Sequence, residues 1–276
     1  MTQHCLAAIP SLDRDLADAR RILIACDFDG TLCPIAQTPW HVHVPPSVLE
    51  ALRLISASDR ITLAIISGRE VQDVSKRLPI DAIFAGNHGL EIRGAGLRFD
   101  HPCARRLRPK LKQHCERLRE LLKRWPGAWV EDKGLSATVH YRAVEEGRHH
   151  AVRCAVRRYA VRRDSPFGVR AGRKALEIYP RIGWDKGAAL NHIRAKARPF
   201  DLCVCLGDDQ TDENMFHHTP DQINIRVGRG RPTNATYHLD DTSEVAAFLR
   251  HVADVLRASD HFRSPAPIPT ISVAVL

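Results

Sequence analysis

The stretch ILIACDFDGTL, residues 22–32, decides how the rest of the chain is read. Its five apolar residues run without a polar interruption and stop at two carboxylates, Asp27 and Asp29. A short all-apolar run bounded by turn residues has the pattern of a central strand in a parallel sheet, covered on both faces. In open α/β sheets ligands bind in the crevice at the carboxyl ends of such strands. Asp27 and Asp29 fall there, and Gly30 and Thr31 follow with a tight turn whose backbone N–H groups are free to donate. An Asp-x-Asp tripeptide alone is equally a solvated turn, so the other segments must separate the two readings.

Working outward, strand-like runs alternate with helical periods. ILIACDF (22–28), a helix near 47–58, ITLAIIS (61–67), a helix near 70–77 and AIFAGNHG (82–89) come first. After a different middle come a helix near 186–196, DLCVCLGDD (201–209), a short helix near 213–218, INIRVG (223–228) and a closing helix near 242–256. This alternation predicts an α/β fold with a doubly wound parallel, Rossmann-like sheet. In the middle, Leu107, Leu111, Cys115, Leu118 and Leu122 share one helical face. The short runs AWVEDKG, LSATVHYR, FGVRAGR and KALEIYP then surround a second long helix around 144–163. The expected organisation is a core built from residues 1–97 and 180–260, an inserted α+β cap over 98–179, and a Pro-rich, loosely attached tail over 261–276.

Composition narrows the class. Of the residues, 44% are hydrophobic and 26% charged, as in a soluble globular protein. No apolar run approaches the ~18 residues of a membrane span, and the start carries acids early, unlike a signal peptide. A cytoplasmic protein with no membrane partner is expected. The eight cysteines form no C-x-x-C pair and read as apolar fillers and reduced thiols. The net charge of +9 is uneven: residues 101–175 hold 20 of the 41 Lys and Arg but only 7 of the 32 acids. Such a segment could bind nucleic acid or steer an acidic small substrate. Few aromatics interleave with it and no nucleic-acid motif is present, so no nucleic-acid partner is expected.

Four clusters carry the chemistry. Asp27-Phe28-Asp29-Gly30-Thr31, Ser67-Gly68-Arg69 and Gly207-Asp208-Asp209-Gln210-Thr211-Asp212 end predicted strands, while Lys186-Gly187 opens a helix. Converging carboxylates repel one another unless a cation sits among them. Mg²⁺ suits one or two carboxylates together with waters and phosphate oxygens. A lysine and a serine hydroxyl offer a fixed charge and a donor to the same phosphate. An aspartate can attack as a nucleophile, and a second carboxyl two residues on can protonate the leaving oxygen and then activate water. Together these describe phosphoryl transfer.

DFDGTL, ISGR, the DKG lysine and GDDQTDE resemble the four motifs of the haloacid dehalogenase-like (HAD) phosphatases, and an insert between the second and third motifs resembles their C2-type cap. GNHGLEIRG (86–94), VEDKGLSATVHYR (130–142) and GRKALEIYPRIGWDKGAAL (172–190) resemble segments of the trehalose-6-phosphate phosphatases. The resemblance implies Mg²⁺-dependent hydrolysis of trehalose 6-phosphate through an aspartyl-phosphate. It makes Asp27 the nucleophile and Asp29 the general acid and base. Mg²⁺ would be held by Asp27, Asp208 and the Asp29 carbonyl, with Asp209 or Asp212 behind it. Ser67, Gly68 and Lys186 would grip the phosphoryl group, aided by Gly30 and Thr31. Arg69 would meet the substrate or merely brace its loop.

The resemblance further places Glu131, Lys133, Arg142 and Glu177 where the cap meets the disaccharide, with Asn87 and His88 on the core side. Strand alternation puts Glu131 and Lys133 on one face, and Glu177 on the face of Arg173. The expected partner is a small sugar phosphate, the chain acting as a monomer and any trehalose-6-phosphate synthase being a separate chain. A C2-capped phosphatase for another phosphorylated glycoside would share the core motifs and differ in the cap. A non-catalytic sugar-phosphate sensor would be expected to lack Asp27 or Asp29.

Overall fold

A computed structural model of the chain describes residues 2–36, 38–160, 165–197, 199–216, 222–229 and 232–263. The first part of the chain forms β1 (Gln3–His4), α1 (Ile9–Asp18), β2 (Ile22–Cys26), α2 (Pro46–Ser56), β3 (Ile61–Ile66), α3 (Val71–Arg77), β4 (Ile83–Gly86), β5 (Glu91–Gly94) and β6 (Leu97–Asp100). The middle forms α4 (Pro102–Leu122), β7 (Trp129–Asp132), β8 (Ala137–His140), α5 (His149–Ala160), β9 (Phe167–Gly172) and β10 (Ala175–Pro180). The last part forms α6 (Lys186–Lys196), β11 (Leu202–Gly207), α7 (Glu213–Phe216), β12 (Gln222–Val227), β13 (Tyr237–Leu239) and α8 (Thr242–Arg263).

The apolar run 22–26 is β2, the middle strand of the larger sheet. That sheet has nine strands in the order β1-β13-β12-β11-β2-β3-β4-β5-β6. From β1 to β4 every pairing is parallel. All five residues of β2 are buried. Their alternation divides them between two cores. Ile22, Ile24 and Cys26 pack with side chains of α1, α2, α3 and α8, whereas Leu23 and Ala25 pack with side chains of α6 and α7. The chain reverses between the second part and the first, since β2 lies between β11 and β3. The reversal opens a crevice at the carboxyl ends of these strands.

The edges of this sheet were not foreseen. β5 and β6 form an antiparallel hairpin on β4, turning at Ala95 and Gly96. At the opposite edge β1 and β13 are too short to give a periodic signal, with two and three residues. The middle of the chain forms a second, antiparallel sheet in the order β7-β8-β10-β9. Leu111, Cys115, Leu118 and Leu122 of α4 and Val152 and Val156 of α5 bury themselves against it in a core of its own. Residues 261–263, expected in the tail, continue α8, which outruns the helix expected near 242–256; 264–276, and 161–164 where the helix expected around 144–163 would end, lie outside the described residues.

Because β2 touches both cores, its side chains bear on the whole larger layer. Ile24 is fully buried. Ile24→Ala should lower the unfolding free energy by about 2–5 kcal/mol through lost contacts and a cavity. The measurement is the urea midpoint, and an unshifted midpoint would count against β2 as the centre of the core.

Candidate active site

At the ends of β2 and β11 the two strands lie side by side, and the Asp27 N–H donates to the Leu206 carbonyl at 2.9 Å. Asp27 and Asp208 thereby become neighbours, 5% and 6% exposed. Lys186 comes from the opposite side, at the first position of α6, whose N-cap Asp185 accepts from the Ala188 N–H at 2.8 Å. The lysine is 3% exposed and its Nζ donates to Asp27 Oδ1 at 2.6 Å and to Asp212 Oδ1 at 2.7 Å. The second Asp212 oxygen accepts the N–H groups of Asp208 and Asp209, each at 2.9 Å. Asp212 thus ties the acidic loop to the lysine with both oxygens.

Asp27, Asp208 and Asp212 present carboxylate oxygens within 4.8 Å of one another. One buried ammonium does not balance three carboxylates. Burial pushes Asp27 well up, and Lys186 opposes this only in part. Burial, reinforced by Asp212 and Asp209, raises Asp208 to about 7. Lys186 is itself pushed up, because Asp212 and Asp27 outweigh its desolvation, and so it stays charged. Backbone crowds the cluster too: a Cβ on Gly30, whose φ is +91°, would lie 2.3 Å from Asp208 Oδ2. An all-oxygen, electron-rich donor set of this kind fits a hard divalent cation.

Asp29 faces away from this cluster. Arg69 holds both of its oxygens, Nε to Oδ2 at 2.6 Å and Nη2 to Oδ1 at 2.8 Å. The same guanidinium donates to Asp73 at 2.7 Å and to the Pro39 carbonyl at 2.9 Å. Ser67 is buried, and its Oγ accepts the Arg69 N–H at 3.2 Å. Thr31 is buried as well, and its hydroxyl has no hydrogen-bond partner.

The turn after β4 completes the core side. Asn87 and His88 have φ of 50° and 57°. Consecutive non-glycine residues seldom adopt this region and need surrounding structure to hold them. Here the Asn87 N–H donates to the Arg69 carbonyl at 2.7 Å and the His88 N–H to the Ser67 carbonyl at 2.8 Å. Gly68 leaves room for the imidazole, since a Cβ there would sit 2.7 Å from His88 Nε2.

Between the two sheets lies a cleft of about 480 Å³, bordered by Asp29, Gly68, Arg69, Asp208 and Asp209 from one side. From the cap it is bordered by Glu131, Lys133, His140, Arg142, Arg173 and Glu177, among others. Glu177 accepts from His88 Nε2 and from Arg170 Nε, both at 2.6 Å. Burial alone would raise Glu177, but His88 and Arg170 outweigh it and hold the carboxylate well below its ordinary range. Burial also holds His88 down to about 4, so its neutral ring donates through Nε2. Lys133 Nζ donates to the Gly68 carbonyl at 3.1 Å, and Glu131 accepts from His140 at 2.7 Å. Arg173 reaches over from the β9–β10 turn to Asp208 Oδ2 at 3.1 Å.

Most expected residues converge, with some differences in detail. Asn87 does not border the cleft. It is buried, and its amide meets Glu91, the Lys133 carbonyl and Ser136, which links core to cap. The strand partner of Glu177 is Arg170, and Arg173 sits in the turn beyond the strand. Arg170 escaped notice because register pairs it across two strands that the sequence does not align. Arg226 escaped too: buried on β12, it donates to the carbonyls of Asp208 and Asp209 and to Glu213. A charged residue inside an apolar strand run was the available signal. Trp129, stacked on His140 with ring centroids 4.1 Å apart, and Trp40 against it at 5.2 Å wall the rim.

Comparison with known proteins follows the same geometry. The family described as Trehalose-phosphatase matches residues 25–243, from β2 through the start of α8. The chain belongs to this family. It is similar to a trehalose-phosphate phosphatase of Mycobacterium bovis (strain BCG / Pasteur 1173P2), 35% identical over 254 residues, covering 87% of this chain and 63% of that one. Trehalose-phosphate phosphatase B of Arabidopsis thaliana is 31% identical, covering 86% and 68%. The chain therefore spans less than two thirds of the length of the mycobacterial relatives. Among solved structures, a trehalose-6-phosphate phosphatase related protein superimposes with a TM-score of 0.74 at 25% identity, covering 84% of this chain and 97% of that one. The C-terminal domain of the Candida albicans trehalose-6-phosphate phosphatase, at 22% identity, shares the fold with a TM-score of 0.77 over 92% and 98% of the two chains.

The buried His88 gives a pH prediction. Its folded value of about 4 lies below the ordinary 6.5, so the unfolded chain binds the proton first. Stability then rises with pH across that interval. Relative to His88→Gln, the wild type should lose about 1 kcal/mol more between pH 7.5 and pH 5.5. Urea unfolding at both pH values measures this, and parallel losses would contradict it.

Proposed function

We propose that the chain is a Mg²⁺-dependent phosphatase that hydrolyses trehalose 6-phosphate to trehalose and phosphate. One observation carries the reading: Lys186 is buried between Asp27 and Asp212, beside Asp208, which borders a cleft walled by cap charges. Asp27 is the carboxylate of that cluster directly after the central strand, and in this reading its free oxygen attacks phosphorus. The phosphorus–oxygen bond to the sugar breaks, and an aspartyl-phosphate forms. Asp29 turns from Arg69 to protonate the departing sugar oxygen, then takes a proton from the water that cleaves the acyl-phosphate. Lys186 and Ser67 hold the phosphoryl oxygens, with Gly68 and the turn at Gly30 and Thr31 around them. Asp27, Asp208 and the Asp29 carbonyl would hold Mg²⁺, which supplies positive charge to the phosphoryl oxygens. Asp212 and Asp209 orient that set.

The sugar is read by the cap. Glu131, Lys133, Arg142, Arg173 and Glu177 surround the cleft with alternating charges suited to sugar hydroxyls and phosphate, and His88 meets them from the core. The division into a core of residues 1–97 and 180–260 and a cap of 98–179 belongs to this proposal, with β6 carried on the core sheet as far as Asp100. A reducing, cytoplasmic setting fits eight cysteines that are all free. Among the described residues no helix is long and apolar enough to cross a membrane.

Phosphate release from a panel of sugar phosphates, with Mg²⁺ or EDTA, tests the reading. Trehalose 6-phosphate should be preferred, EDTA should abolish turnover, and Asp27→Asn should reduce it by on the order of 10⁴-fold or more. Equal rates on many sugar phosphates would discard the substrate, and no turnover on any would favour a sensor. Asp29→Asn provides a separate check. Its loss should be about 10²-fold or more on trehalose 6-phosphate and much smaller on p-nitrophenyl phosphate, whose leaving group needs no proton. Equal losses would argue against Asp29 as the acid.

A further inference from the structure

At the sheet edge formed by β1 and β13, three strands from β2, a second group of metal-ligating side chains meets. His4 and His238 are register partners across the parallel pair. Side chains at paired positions of neighbouring strands stand beside one another on one face. The two imidazoles accordingly lie 5.2 Å apart, edge to face. Asp240 follows His238 by two residues and returns to their side. Single ligand atoms of His4, His238 and Asp240 all lie within 4.8 Å of one another. A fourth candidate stands in the first turn of α8, where Glu244 Oε2 is hydrogen-bonded to His4 Nε2 at 3.0 Å.

We infer that His4, His238, Asp240 and Glu244 form a binding site for a transition-metal ion of the Zn²⁺ class. Two imidazoles with two carboxylates suit Zn²⁺, and imidazole does not suit Mg²⁺ or Ca²⁺. An ion bound at the about 2.0–2.2 Å of such ligands would take the place of the His4–Glu244 hydrogen bond and of one of the two Arg229 bonds to Asp240. The surroundings of these side chains already orient them. Thr2 Oγ1 bonds His238 Nδ1 at 3.0 Å, leaving Nε2 on the Asp240 side, 3.8 Å from that carboxylate. That separation is too long for a hydrogen bond, so two lone-pair-bearing atoms face each other across a gap that a cation fits. Arg229 Nε and Nη2 donate to the two Asp240 oxygens at 2.6 Å and 2.9 Å, and the Asp240 N–H donates to Glu244 Oε2 at 2.6 Å. Partners of this kind fix the orientation of first ligands. With neutral histidines the five side chains sum to one negative charge.

The consequence is structural. The chain's first strand has two residues, and few ladder hydrogen bonds hold it. A metal bound here clips that strand to β13 and to α8, joining positions 4 and 244.

The test uses tag-free full-length protein freed of metal by chelation and titrated with Zn²⁺ in millimolar Mg²⁺, so that the acidic cluster is occupied. One equivalent of Zn²⁺ should bind at micromolar concentration or tighter and raise the melting temperature by several degrees. His4→Gln and His238→Gln should each weaken binding at least tenfold and abolish the thermal shift, whereas Asp208→Asn should retain both. Co²⁺ should give the visible absorption of a four-coordinate site in the wild type and lose it in His4→Gln. Because His4 lies in a two-residue edge strand, this variant serves if His238→Gln fails to fold. Equal Zn²⁺ binding by wild type and His4→Gln, loss of the equivalent in Asp208→Asn, or no binding at micromolar metal would each overturn the assignment.

Discussion

A single buried ammonium organises the acidic cluster beside the cleft. Lys186 Nζ holds Asp27 at the end of one strand and Asp212 in the loop after another. Breaking such a pair leaves an uncompensated charge in a low-dielectric interior, which costs far more than the pair itself contributes. The arrangement therefore persists only because the sheet brings β2 and β11 side by side and α6 starts beside them. Stability is not its product. Three carboxylates against one ammonium form an unfavourable cluster that a simple core would avoid, and such clusters mark functional sites.

Arg69 and Arg226 divide the support of this site between them. Arg226 reaches from β12 to the carbonyls of Asp208 and Asp209 and so fixes the acidic loop from behind. Arg69 holds Asp29 and, through the Pro39 carbonyl, the segment that carries Trp40 to the rim. In the proposed reaction the difference matters: the first arginine can remain in place throughout, while the second must yield Asp29 when a proton is transferred.

The core of the fold was legible because the decisive segments carry strong local signals. ILIAC is buried on both faces and cannot alternate, and each acidic or glycine-rich cluster follows directly on such a strand. Lys186 was legible as a helix opener, and the structure places it behind Asp185 at the start of α6. What escaped reading depends on register or on very short elements. The hairpin β5–β6 and the edge pair β1–β13 have too few residues for a period to emerge. Arg170 meets Glu177 only through the pairing of β9 with β10, and no spacing within the sequence reports a cross-strand neighbour. Asn87 was placed among substrate contacts by likeness of motif, whereas its left-handed backbone turns the amide toward Ser136 and the Lys133 carbonyl.

That turn shows how the two sheets are coupled. Asn87 and His88 sit on the core, yet one amide and one imidazole reach the cap at Ser136, the Lys133 carbonyl and Glu177. Lys133 returns the contact at the Gly68 carbonyl, one residue from Ser67. Each link joins a turn of the larger sheet to the β7–β8 turn or to β10. Any movement of the cap away from the core must break these bonds together. In the proposed function, reading of the sugar and alignment of the phosphate contacts are thus parts of one hydrogen-bonded unit. The strained backbone at Asn87 and His88 is held in place by that unit.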